Sequence, residues 1–171
     1  MLLSDYEKWQ EQALSIFHQK QTQYGESWEV LSLPSLIDLL TIKAQRIHTL
    51  MKQTTPQTGE PPLQDWLALI NYATLTLLRL RGNSEPTALV LPKILSEAAQ
   101  LLQRKNADYG DAWQTMRPLA FIEFILMKLL RIRHMDSQPE AHRQAIEDNL
   151  FDIINYALLY LSRYENSATT A

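Results

Sequence analysis

The chain has 171 residues, of which 46% are hydrophobic and 20% charged, with 16 Lys and Arg against 19 Asp and Glu. That composition is globular rather than disordered, and a net charge of −3 excludes the broad basic footprint of a duplex nucleic-acid binder. The absence of cysteine excludes a disulfide framework, a thiolate metal site and a cysteine nucleophile. The opening Met1-Leu-Leu-Ser-Asp5 has no basic n-region, and no apolar run approaches the ~20 residues of a membrane span, so a cytoplasmic protein without a membrane partner is expected.

Tyr6, Trp9, Ala13, Leu14 and Phe17 recur at helical spacing and predict a first helix with Ser4 as its N-cap and a stop near Gly25. A second helix is predicted from near Pro34 to about Lys52, followed by a Pro- and Thr-rich loop over residues 54–62. A third covers Leu63 to Leu80, and Gly82-Asn-Ser-Glu-Pro86 forms a turn. The order then repeats. Helices are predicted from Pro92 to near Gly110, from Pro118 to about Met135 and, after the loop Asp136-Ser-Gln-Pro139, from Ala141 to Tyr164. Asn166 to Ala171 reads as a frayed tail, and no segment alternates with the period of a strand.

The repetition extends to the residues themselves. Lys20-Gln-Thr-Gln-Tyr-Gly-Glu-Ser-Trp28 returns as Lys105-Asn-Ala-Asp-Tyr-Gly-Asp-Ala-Trp113, an offset of 85 that also carries Lys43 to Lys128 and Arg46-Ile47 to Arg131-Ile132. After a one-residue gap, Ile70-Asn-Tyr-Ala73 matches Ile154-Asn-Tyr-Ala157, and Arg79 matches Arg163. One kept spacing over three segments identifies a tandem duplication. The fold class is therefore all-α, with residues 1–83 and 84–171 as two three-helix repeats, six main helices in all, related by a pseudo-twofold axis and packed as one domain. The second helices are apolar nearly all round, which predicts that they are the most buried.

Against this apolar background a few residues are out of place. Lys43 and Lys128 each have apolar residues four and seven positions away on both sides. Either the stems snorkel, or each ammonium is buried and needs a carboxylate or an anionic ligand. Asp38 or Asp65 can serve Lys43, and Glu123, Asp148 or Asp152 can serve Lys128. Arg46 and Arg131 follow one turn later with a planar fork suited to phosphate. Asp148, Asp152 and Asn155 form one stripe of the last helix, whereas the first copy has Gln64, Ala68 and Asn71 there. With Glu123 and Glu147, these carboxylates are the candidate oxygen ligands for Mg²⁺, or they pair with the basic residues. Tyr109 and Trp113 either pack the turn after Gly110 or stack on a base, and the Asn155-Tyr156 pair joins the candidate site because it is kept in both copies.

The combination of Lys105-Asn-Ala-Asp-Tyr-Gly-Asp-Ala-Trp113, Lys128 to Ile132 and Asp152-Ile-Ile-Asn-Tyr156 resembles the nucleotide modification associated domain 1 family, DUF1599, in two tandem copies. The resemblance implies a small helical domain linked to nucleotide or DNA-base modification, with no established catalytic residues. A more distant similarity is to the all-α nucleoside triphosphate pyrophosphatases of the MazG type, which hold Mg²⁺ on E-x-x-E and E-x-x-D motifs. The chain departs from those motifs, with Lys128 and Arg131 at the first and Asn149-Leu-Phe-Asp152 at the second.

Three readings stay open. One is a module that binds a nucleotide or another phosphorylated small molecule through Lys128, Arg131, Tyr109, Trp113, Asn155 and Tyr156, with Lys43 and Arg46 as first-copy counterparts. The second is a Mg²⁺-dependent nucleotide pyrophosphohydrolase. The third is a structural protein whose polar set is a buried ion-pair network. A homodimer formed through exposed faces of the third helices is also expected.

Overall fold

Apolar residues at helical spacing, broken by glycine and proline, produce six helices in a repeated order. The computed structural model describes residues 2–53 and 62–165, with side chains from Ser4 onward. Helices α1 (Leu2–Tyr24), α2 (Leu33–Met51) and α3 (Leu63–Arg81) are followed by α4 (Thr87–Tyr109), α5 (Pro118–Arg133) and α6 (Arg143–Tyr164). A short 3₁₀ turn follows the first helix of each copy, at Ser27–Val30 and Ala112–Thr115. Among the described residues there is no strand. The expected loop over 54–61 and the expected tail over 166–171 lie outside the described residues.

Local chemistry explains most boundaries. The Ser32 hydroxyl caps α2 by accepting from the Ser35 N–H, and Pro34 sits in the first turn, where its missing N–H costs nothing. Gly25 and Gly110, both at φ +61°, end α1 and α4 in a conformation that L side chains rarely adopt. Two starts differ from expectation. Ser4 lies inside α1 and is not its cap, and Pro92 lies inside α4, which begins at Thr87. A proline inside a helix costs about 3 kcal/mol. Burial offsets it here, because Thr87, Val90, Leu91, Ile94, Leu95 and Ala98 form one continuous buried stripe across the proline.

The third helices, not the second, occupy the centre. α3 packs on α6, on its own α2 and on both α1 and α4, and α6 has the equivalent set of neighbours. Trp66, Leu67, Leu69, Ile70 and Ala73 are accordingly inaccessible along consecutive positions of α3, and the Trp66 ring stacks on Tyr160 of α6 at 3.9 Å. The second helices pack chiefly on each other and on the third helix of their own copy. They therefore leave an apolar outer face in solvent, with Ile42 61% and Leu130 57% exposed. An apolar pattern all round predicted the reverse, but burial is set by how many sides have neighbours. The same arrangement consumes the faces of the third helices within the chain, so they do not offer the dimer surface expected of them.

Pairs across the two copies show the pseudo-twofold relation directly. His48 Nε2 lies 3.3 Å from Glu123 Oε2, and Arg133 lies 3.7 Å from Asp38 Oδ1. Arg133 is the counterpart of His48, and Asp38 that of Glu123, so the two contacts exchange partners as an isologous interface requires. Gln10 Nε2 donates to the carbonyl of its own counterpart, Leu95, at 2.8 Å, which places that contact on the axis. Departing from symmetry, Arg81 at the end of α3 grips both oxygens of Glu97 at 2.9 Å and also bonds Glu147, tying the first copy to α4 and α6.

A charged cleft in the second copy

The repeated asparagine sets the position of the first helix on the third. Asn71 Nδ2 donates to the Ala13 carbonyl at 2.9 Å, and Asn155 Nδ2 donates to the Ala98 carbonyl at 3.0 Å. Each satisfies a backbone carbonyl where the helices touch, and Asn155 Oδ1 also accepts from the Tyr6 hydroxyl at 2.7 Å. The pair kept in both copies thus has a packing cause for its asparagine. The tyrosine that follows, Tyr72 or Tyr156, is half-buried and lines a cavity in each copy.

Past Gly110 the chain turns so that Trp113 packs against the core while Tyr109 stays 74% exposed at the rim. The turn is held to α6 by Arg163, which donates to the Met116 carbonyl at 2.8 Å, and by the Tyr164 hydroxyl, which donates to the same carbonyl at 3.1 Å. Its counterpart Arg79 donates to the Glu29 carbonyl at 2.6 Å, so the repeated arginine clamps the equivalent turn in both copies.

Between the end of α4, this turn, α5 and α6 lies a cleft of about 460 Å³ whose walls include Lys105, Asn106, Tyr109, Trp113, Lys128, Asp152 and Tyr156. Asp152 is its electrostatic centre. Its Oδ2 accepts from Lys128 Nζ at 2.9 Å, and its Oδ1 accepts from Lys105 Nζ. Lys128 is largely buried, at 14% exposure, and Lys105 is half exposed. Two ammonium groups on one carboxylate leave a formal positive charge at the cleft. Burial raises the Tyr156 hydroxyl above the usual tyrosine range, Asp152 adds to the rise, and Arg131 opposes it. Tyr156 is therefore a neutral donor and acceptor at the cleft wall. Arg131 itself is exposed and outside the walls.

The first copy answers the same need differently. Lys43 lies 3.6 Å from Asp65, Arg46 bonds the same carboxylate, and Asp65 is buried. Lys43 is 35% exposed, less buried than its apolar neighbours predicted. Asp65 stands where the second copy has Asn149, and Ala68 stands where it has Asp152. The carboxylate has moved one turn along the helix, away from the cavity, which is only about 80 Å³ here. Glu26 accepts from Trp28 Nε1 at 2.6 Å and from Thr87 at 3.1 Å, and also bonds Gln21, so its loop is tied to α1 and α4. Asp111, one methylene shorter, stands at the matching position, and the buried Trp113 Nε1 has no partner among the described residues.

The remaining sequence candidates disperse. Asp148 is exposed and bonded by Gln144, Glu147 is held by Arg81, and Glu123 lies on the outer face against His48. Among the described residues no group of three or more His, Asp and Glu converges as a metal site. Asp152 alone of the four carboxylates lines the cleft, so the donor set as it stands does not fit the oxygen-rich shell of Mg²⁺. Sequence reasoning did not single out Lys105. Its recurrence as Lys20 at the head of the repeated motif was the available signal.

Fold and site together define a helical tandem-repeat protein with a charged cleft in one copy and a reduced, uncharged-floor counterpart in the other. The family model of nucleotide modification associated domain 1, DUF1599, matches residues 20–80 and again residues 105–163. These segments exceed half of the chain, and the chain belongs to that family as two tandem copies. No curated protein and no solved structure matches it. Among the described residues no helix is long and apolar enough to cross a membrane.

Proposed function

We propose that the second-copy cleft binds a nucleotide or a similar small molecule that carries both a phosphate and a flat ring. The observation that carries this reading is the convergence of Lys105 and Lys128 on the single carboxylate of Asp152, in a cleft rimmed by aromatic rings. The lysines take the phosphate as point charges while Asp152 holds them in place or accepts from a sugar hydroxyl. Tyr109 closes over the base by stacking, which tolerates any base because each presents a π-face. The family's link to nucleotide modification agrees with this class of ligand.

Thermal shift against a panel of nucleoside mono-, di- and triphosphates, with and without Mg²⁺, tests the proposal. A shift independent of Mg²⁺ that is lost in Lys105→Gln and Tyr109→Ala supports it. The first-copy counterparts Lys20→Gln and Tyr24→Ala should keep the shift. A strictly Mg²⁺-dependent shift favours a pyrophosphohydrolase instead, and no shift with any nucleotide leaves the Lys105–Asp152–Lys128 set as a structural ion-pair network.

A further inference from the structure

We infer that the outer face of α5 is a self-complementary surface for a second copy of this chain. Phe124, Met127 and Leu130 are exposed by 37%, 40% and 57% and lie three residues apart, so they form one apolar row on the helix. A second row crosses it at Met127 with four-residue steps, carrying Glu123 at one end and Arg131 at the other, both exposed, the Glu123 carboxylate also lying 3.3 Å from His48. The two rows are symmetric about Met127. A twofold axis laid along the apolar row sets Phe124, Met127 and Leu130 each near its own copy. The same operation carries Glu123 of one chain toward Arg131 of the other, twice. A surface that pairs apolar with apolar and acid with base under a single twofold is what an isologous dimer requires.

The corresponding face of α2 lacks these features, which assigns the surface to α5. Gln45 replaces Leu130, and Leu39 is half-buried where Phe124 is exposed. Ile42, the counterpart of Met127, is itself 61% exposed on α2, which packs on α5. The row borders the cleft at one end, where the Phe124 ring lies 5.7 Å from that of Tyr156, and sedimentation reads dimerisation without reference to any nucleotide.

Sedimentation velocity on the full chain over a wide concentration range reads the result. Wild type should show a concentration-dependent dimer. Met127→Glu, which places two carboxylates on the axis, should raise the dimer dissociation constant at least ~10-fold. Glu123→Arg and Arg131→Glu should each weaken the dimer, and the double exchange should restore it, with melting curves confirming that every variant is folded. A wild type that stays monomeric at all concentrations overturns the inference. So does a dimer that is unmoved by Met127→Glu, or a double exchange no better than the single ones.

Discussion

Lys128 and Asp152 meet at 2.9 Å across α5 and α6, while the counterpart of that lysine, Lys43, turns to Asp65 one turn earlier on α3. Two copies of one unit thus neutralise the same lysine with carboxylates at different heights. In the second copy the choice leaves charge in an open cleft. In the first, Asp65 gathers Lys43 and Arg46 away from a small cavity.

The stability cost of the two carboxylates should follow from their partners. Asp152→Asn keeps the shape but removes the charge from two lysines, and should cost about 1.5–3 kcal/mol. Asp65→Asn should cost a similar amount, because it deprives both Lys43 and Arg46. Lys128→Met should fall below the ~3–5 kcal/mol of a pair broken outright, since Lys105 still holds Asp152. Ala68→Ser should stay within about 0.5 kcal/mol. Urea melts at pH 7 check the series, and an Asp152→Asn variant as stable as Ala68→Ser contradicts it.

The two asparagines should differ in a defined direction. Asn71→Ala removes the bond to the Ala13 carbonyl and should cost about 1–3 kcal/mol. Asn155→Ala should cost more, because it strands the Ala98 carbonyl and the Tyr6 hydroxyl together. Denaturant melts of the two single variants and of Asn155→Ala combined with Tyr6→Phe separate the terms. If the combination is fully additive, Tyr6 and Asn155 are not coupled.

Alkaline pH should destabilise the fold through its tyrosines. Burial holds the Tyr6 hydroxyl protonated well above the usual range, and burial chiefly pushes Tyr160 up to about 12. In the unfolded chain such groups ionise near ~10. As pH rises past that value the unfolded state loses protons that the folded state keeps. Their contribution is therefore full below pH ~10 and is lost progressively above it. Tyr6→Phe should flatten the fall in stability above pH ~10 while costing about 1–3 kcal/mol at neutral pH, because Asn155 Oδ1 loses its buried donor. Melting temperatures of both proteins between neutral and strongly alkaline pH measure the slopes, and parallel curves would remove Tyr6 from the explanation.

Helix content, the duplication and most element boundaries followed from the sequence alone, because periodicity, glycine stops and repeated spacing act within a turn or two of chain. The asymmetry of the copies was legible too, as Asp152 against Ala68. Tertiary structure alone decided what lies in the middle. A residue's burial depends on neighbours from distant segments, so the apolar second helices ended at the surface and the third helices, flanked on every side, took the core. It also decided that Asn71 and Asn155 bond first-helix carbonyls, that Arg81 claims Glu147, and that Lys105 joins Lys128 on Asp152. Each of these pairings spans dozens of residues, and a side chain's chemistry names what it can pair with, whereas packing determines which partner is within reach.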